Sequence, residues 1–247
     1  MTQINEKLLL SRFSDLERGT ERGHKPCFSR FLDPKEQRIF AERYRPKCPY
    51  MLWGGYDDAE RKMVGFFPDY LEPAGAEFPL VPLRLAASEE LGHRDILGAL
   101  MSLGIERNLI GDIAREEAGP ILFAAEGVKD FLMLECTRAG RTRIRLSEAD
   151  PFCLAILPKE WKAISGTVAS LRLDCVLGLL TGASRSQADE MLRREAVSVN
   201  HSVCTKGSVT VGAGDVLSVR GYGRAEVLEI GGETKKGRMR VTLKKYI

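Results

Sequence analysis

Histidine is scarce in this chain: His24, His93 and His201 are the three in 247 residues. Three so widely spaced leave little material for a histidine-based active site. Cysteine occurs at six scattered positions, Cys27, Cys48, Cys136, Cys153, Cys175 and Cys204. None forms a close pair, a pattern that suits reduced thiols in a cytosol. His24-Lys25-Pro26-Cys27 has ligand-like spacing, but structural zinc takes four ligands and no second pair lies nearby. No metal and no cofactor is expected. No apolar run approaches membrane-spanning length, and the opening M-T-Q-I-N-E-K has no signal-peptide core. A cytoplasmic protein with no membrane partner is expected. Walker loop, dinucleotide fingerprint and nucleophile elbow are all absent, which removes the usual reasons to expect a small-molecule substrate. Internal repeats and low-complexity segments are absent too.

What is present concentrates near the C-terminal end. Net charge is +3, from 37 basic and 34 acidic residues. From Leu171 onward there are 13 basic and 8 acidic residues, a net of +5, so the preceding part is slightly acidic. Within 235–245 the run K-K-G-R-M-R-V-T-L-K-K holds six basic residues and no acid. Arg238 and Arg240 alternate there with Met239 and Val241, which predicts a basic-faced strand.

Upstream of that run, Leu173, Val176, Leu177 and Leu180 recur at helical spacing. Thr181-Gly182-Ala183 breaks the helix. A second helix opens on Ser184 with Gln187 three residues on, a capping box. Its apolar stripe is Ala188, Met191 and Leu192, while Arg185, Asp189 and Arg193 line another face. Val197-Ser198-Val199 then alternates like a strand and turns at Asn200-His201. Strands at 209–211 and 216–220 are expected beneath the helices. The guanidiniums left facing water are the groups best suited to phosphate oxygens.

This segment resembles the S-four-type RNA-binding domain, the alpha-L motif. The residues that carry the resemblance are Arg172-Leu173-Asp174, Ser184-Arg185, Ala188, Leu192, Val197, Val199 and Asn200. The resemblance implies an RNA-contacting face made by Arg172, Ser184, Arg185, Gln187, Arg193 and Asn200. The chain departs from the family where glycine is usual, having Arg194-Glu195-Ala196 before the first strand and His201 after the Asn. Hairpin turns need positive φ, which histidine tolerates less well than glycine.

Two proline- and glycine-marked stretches divide the rest. Pro68, Pro73, Pro79 and Pro82 punctuate the first, and 158–170 forms the second. The first domain opens with a helix near 4–18. Another starts at Asp33-Pro34-Lys35-Glu36, where Asp caps, Pro takes the first helical position and Glu closes the box. Strands at 50–53 and 63–67 flank Gly54-Gly55-Tyr56. The middle reads strand 80–85, helix 93–103, strand 110–115, strand 120–125, helix 128–137 and strand 142–146. That is the order of a split βαβ, as in ferredoxin-like and RRM domains. The aromatic RNA platform of an RRM is missing, since only Phe123 sits on a central strand, so base stacking is not expected there. The predicted fold class is therefore α+β with three small domains: an N-terminal α/β domain (1–75), an RRM-like domain (76–165) and an S-four-type domain (171–247).

The upstream motifs F-L-D-P-K-E-Q (31–37), G-G-Y-D-D-A-E-R-K (54–62), F-P-D-Y (67–70), H-R-D-I-L-G-A-L-M-S-L-G-I-E-R (93–107) and I-G-D-I (110–113), with L-S-V-R-G-Y-G-R (217–224), resemble the YlmH family of bacterial proteins. The resemblance spans nearly the whole chain. It implies a ribosome-associated RNA-binding protein, with relatives connected to rescue of stalled translation on a large ribosomal subunit carrying peptidyl-tRNA. There the alpha-L domain is thought to hold tRNA and ribosomal RNA while a tail is added to the nascent chain.

The competing class is an enzyme. Pseudouridine synthases carry an Arg-Leu-Asp whose Asp is catalytic, followed by a Thr/Ser-rich turn and Gly. Here Cys175-Val176-Leu177 continues an apolar helix, so Asp174 is expected to orient a neighbouring arginine or cap. Asp57, Asp58, Glu60 and Asp112 suggest a carboxylate site less well than a solvated turn. The expectation is a non-catalytic protein binding rRNA and tRNA. Arg172, Arg185 and Arg193, helped by Arg194, Lys235, Lys236 and Arg238, neutralise phosphates, and Ser184 and Asn200 add hydrogen bonds. An RNA-modifying enzyme, or a subunit accessory to one, is the alternative.

Overall fold

The computed structural model describes residues 2–73 and 78–246, with side chains from residue 6. The chain forms two compact units, Met1–Leu157 and Pro158–Ile247. The boundary expected between residues 75 and 76 lies outside the described residues.

The first unit begins with α1 (Thr2–Gly23), β1 (Cys27–Phe28), α2 (Pro34–Arg43), β2 (Tyr50–Trp53) and β3 (Met63–Phe66). Leu9, Phe13 and Thr20 recur on one face of α1 and are buried, the stripe expected of a helix laid on a sheet. Phe13 meets Phe40 of α2 edge to face at 5.0 Å. The α2 capping box forms as the sequence predicts: Glu36 N–H donates to Asp33, and Asp33 N–H donates to the Glu36 carboxylate. The three strands pair antiparallel in the order β1-β3-β2.

Next come β4 (Leu80–Ala87), α3 (His93–Ser102), β5 (Ile110–Glu116), β6 (Gly119–Ala125), α4 (Lys129–Glu135), β7 (Arg138–Ala139) and β8 (Thr142–Glu148). They build a five-stranded antiparallel sheet ordered β5-β6-β4-β8-β7. Counting the four long strands alone, the order is second, third, first, fourth, as the split βαβ reading requires. Pro82, which the sequence suggests is linker punctuation, lies inside β4 opposite Phe123. Pairing of β4 with β8 begins one residue later at Leu83, so the missing N–H interrupts no ladder there.

One face of this sheet buries Val81, Leu83, Leu85, Ile144 and Leu146 against Ile96, Leu100 and Leu132 of α3 and α4. The opposite face is covered too. Phe31 and Met63 pack with Ala114, Ile121 and Phe123, and the segment after β8 adds Ala149. Phe123 is fully buried and stacks on Tyr56 at 5.1 Å. Gly55 sits at φ 101°, and a Cβ there would fall 2.3 Å from the Phe123 ring, which accounts for the Gly54-Gly55-Tyr56 motif. Asp112 locks the same loop, accepting from Tyr56 Oη at 2.8 Å, Glu60 N at 2.6 Å and Arg61 N at 3.1 Å. Burial, then the adjacent Asp112 charge, pushes the Tyr56 phenol far up. The carboxylate is therefore spent on joining two sheets.

The second unit contains β9 (Trp161–Val168), α5 (Leu173–Thr181), α6 (Arg185–Arg193), β10 (Val197–Val199), β11 (Ser202–Val203), β12 (Val216–Val219), β13 (Gly223–Glu233) and β14 (Met239–Tyr246). Its six strands run antiparallel in the order β11-β10-β12-β13-β14-β9. Three expectations differ here. The stretch 158–170, read as a linker, contains β9, which pairs along its whole length with β14 from Trp161–Tyr246 to Val168–Met239. Residues 209–211 form no strand of their own but run beside the start of α5, joined by a single bridge between Arg172 and Thr210. Lys235 and Lys236 sit in the β13–β14 turn, closed by Gly237 N–H to Thr234 O at 2.9 Å, and not on the strand. Among the described residues no helix is long and apolar enough to cross a membrane.

Candidate nucleic-acid interface

Two short helices carry the surface. Leu173, Val176, Leu177 and Leu180 of α5 with Ala188 and Leu192 of α6 are buried against Val197, Leu217, Val219, Ala225, Val227, Val241 and Leu243 of the sheet. Burying these six side chains at about 1.5–3 kcal/mol per large one fixes which helix faces point outward. Gly182 ends α5 in the left-handed conformation. Ser184 Oγ accepts from Gln187 N at 3.4 Å, and Gln187 Oε1 accepts from Ser184 N at 2.8 Å.

At the centre lies Asp174, 3% exposed. Arg172 donates to it twice, Nε to Oδ1 at 3.1 Å and Nη2 to Oδ2 at 2.6 Å. Cys175 N–H also donates to Oδ1 at 2.8 Å. Arg185 reaches in from the first turn of α6, with Nη2 3.9 Å from Asp174 Oδ2. One buried carboxylate thus gathers two guanidiniums whose side chains remain 42% and 72% exposed. The cluster keeps a net positive charge. The Arg172 hydrogen bonds hold the Asp174 carboxyl below the usual carboxylate range despite its burial. Gly207 closes the pocket behind it: Asp174 N–H donates to Gly207 O at 3.2 Å, and a Cβ on Gly207 would come within 3.0 Å of the Asp174 Cβ.

The other expected contact residues sort by what their side chains already do. Arg193, in the last turn of α6, is exposed and has no ion pair among the described residues. Arg194 pairs with Glu190 at 2.5 Å. Lys235 and Lys236 are exposed. Arg238 donates to Thr167 Oγ1 at 3.0 Å and to Thr167 O at 2.5 Å, which fixes it to the end of β9. Three residues read as direct RNA contacts are committed within the fold. Ser184 and Gln187 make the α6 cap. Asn200 donates from Nδ2 to Asp215 at 2.8 Å and accepts the Val216 N–H at 2.9 Å, tying the hairpin to β12. Asp174 likewise faces inward. The structure joins Arg172, Asp174 and Arg185 directly, and among the described residues no ion pair links them to Lys235, Lys236 or Arg238.

Sequence reasoning missed Thr167, Gly207 and Asp215, which hold Arg238, Asp174 and Asn200 in place. It also missed a cluster at the far end of the same sheet, where Arg224 lies over the Tyr246 ring at 4.5 Å and Lys244 lies 5.4 Å from the rings of both Trp161 and Tyr246. The pairing of β14 with β13 brings Arg224 to Tyr246, and its pairing with β9 brings Trp161 to Lys244. Among the described residues no group of three or more His, Cys, Asp or Glu could hold a metal ion.

Comparison with known proteins agrees with this architecture. Residues 171–217 match the S4 domain model, and residues 84–151 match the model described as "Putative RNA-binding domain in YlmH". Over 245 residues the chain is 32% identical to the "Ribosome-associated protein quality control protein P2" of Bacillus subtilis (strain 168), covering 98% of this chain and 95% of that one. A solved structure of the "Cell division protein ylmH" from Streptococcus pneumoniae shares the fold at a TM-score of 0.50 and 21% identity, over 61% of this chain and 94% of that one. With an alpha-L helix pair at one end, a split βαβ sheet in the middle and this relative along almost its full length, the chain belongs to the YlmH family.

Proposed function

We propose that this chain is a non-enzymatic, cytoplasmic RNA-binding protein of ribosome-associated quality control. It holds structured rRNA and tRNA on a large ribosomal subunit that still carries peptidyl-tRNA. The observation that carries this reading is the Arg172–Asp174–Arg185 cluster on the outer face of the α5–α6 pair. A buried carboxylate that pre-orients two guanidiniums lowers the ordering cost of gripping phosphates. Arg193, Arg194, Lys235, Lys236 and Arg238 extend the positive field, and the first unit supplies an N-terminal domain and an RRM-like domain. Asp174 acts as a positioning residue, since Arg172 and the Cys175 N–H occupy its oxygens. That occupancy favours positioning over catalysis.

The test is cosedimentation with small subunits, large subunits and large subunits carrying peptidyl-tRNA over a salt series. The expected result is preference for the tRNA-loaded large subunit, lost in R172A/R185A. A footprint of about five phosphates gives a log–log salt slope near −4 to −5. Equal binding to all three particles, or a double variant that binds as well as the parent, would defeat the assignment.

A further inference from the structure

The β7–β8 hairpin carries a second concentration of charge. Arg138, Arg141, Arg143 and Arg145 fall within eight residues, and all four are exposed. Strand alternation sorts their faces. Thr142, Ile144 and Leu146 point into the core, so Arg143 and Arg145 stand together on the outer face. Arg138 lies directly opposite Arg143 in the β7–β8 register, which puts three guanidiniums on one small area. Arg141 sits beside them in the two-residue turn between Ala139 and Thr142.

Among the described residues none of the four has an ion pair. Of the acids close in sequence or register, Glu148 pairs with Lys129 at 3.1 Å, and Glu89 accepts from Thr142 Oγ1 at 3.2 Å without forming an ion pair to any of the four arginines. Like charges facing each other across a ladder oppose folding, and among the described residues no ion pair offsets them. An external polyanion would. The open sheet face that an RRM uses for bases is closed in this domain, since Phe123 is fully buried under Tyr56 and Phe31. The exposed hairpin edge, with four arginines in eight residues, is where this domain concentrates its cations. All four are arginine, whose planar fork suits phosphate oxygens.

We infer that the Arg138–Arg145 hairpin is a second RNA-backbone site, separate from the α5–α6 face, gripping phosphates of a structured RNA without reading bases. The inference rests on the RNA-binding role proposed above.

The experiment uses the full chain and purified large-subunit ribosomal RNA, titrated over a KCl series. Four proteins are compared: the parent, R143A/R145A, R143K/R145K and R172A/R185A. For R143A/R145A the expected loss is about tenfold to thirtyfold in affinity near 0.15 M salt, with a salt slope shallower by about 2. R143K/R145K keeps the charge and retains the slope. A melting temperature for R143A/R145A at or above that of the parent shows that the fold is intact. Parent-like affinity and slope in R143A/R145A, while R172A/R185A binds weakly, would overturn the second site and leave the first standing. The arginines would then only guard a sheet edge. Unchanged binding to the RNA with weakened binding to whole large subunits would overturn it in favour of an acidic protein surface. A parent protein that fails to bind the RNA would overturn both readings.

Discussion

Asp174 is the residue on which the α5–α6 surface turns. Its carboxyl titrates below its usual range because Arg172 donates to it twice. A depressed folded-state pKa means the ionised form stabilises the native state. That stabilisation is fully present above the unfolded pKa of about 3.9 and is lost as pH falls through the lower folded value. D174N should therefore cost about 1–2 kcal/mol near neutral pH, the scale of hydrogen bonds to a charged group. The gap between the variant and the parent should close as pH falls below about 4. Urea unfolding at a series of pH values measures this, and a gap that stays constant down to the acid end would assign Asp174 a packing role only. Arg84 and Glu116 show the same logic in the first unit. Glu116, almost fully buried, is held low by the Arg84 hydrogen bond at 2.8 Å and also accepts Ala155 N–H, so it straps the segment after β8 onto the sheet.

Among the elements, α6 ends in a way that exposes a local cost. Ala196 N–H donates to Met191 O and Glu195 N–H to Leu192 O, the paired bonds of a Schellman motif. The residue forced into the left-handed conformation is Glu195, at φ 53°, where glycine is strongly preferred. E195G should stabilise the second unit by about 0.5–1 kcal/mol by relieving that conformation, read as a raised melting temperature, with E195A giving no comparable gain. A fall in stability would mean that the Glu195 side chain contributes more than the strain removes. The β10–β11 turn has the same character, with Asn200 and His201 both at positive φ (48° and 64°).

How legible each element is depends on how local its causes are. Helices α5 and α6 can be read directly because apolar spacing, a capping box and a C-terminal glycine all lie within a few residues of one another. β9 cannot. Its W-K-A-I-S-G-T-V sequence is half exposed and alternates weakly, and its partner β14 lies far along the chain. Gly166 reads as a linker residue, yet Leu179 of α5 packs where its side chain would be. Asn200 has the chemistry of an RNA contact, but its engagement by Asp215, fifteen positions on, is invisible without the fold. The closure of the middle sheet by Gly55 and Tyr56 is hidden for the same reason. Of the site, the arginines were legible and the residues that hold them were not.

At the scale of the whole molecule, the chain divides at residue 157 into two units with separate cores. Calorimetry should resolve two transitions. L177A, in the core of the second unit, should lower only one of them, at a cost of about 2–5 kcal/mol. L100A, under the middle sheet, should lower only the other. A single transition moved by both would show that the units melt as one.

The pairing of β9 with β14 also governs when the second unit can exist at all. Synthesis delivers Trp161 85 residues before Tyr246, its ladder partner. At the usual pace of about 5–20 residues per second, β9 is out of register with any neighbour for several seconds or more. Through that interval it is a strand without a sheet. Lys162, Ser165 and Gly166 keep that strand poor in apolar side chains, and because β9 stays at the edge of the finished sheet the same residues discourage pairing with another chain there. The arginine face is laid down early in this unit, but it gains a rigid floor only when β14 slides between β13 and β9.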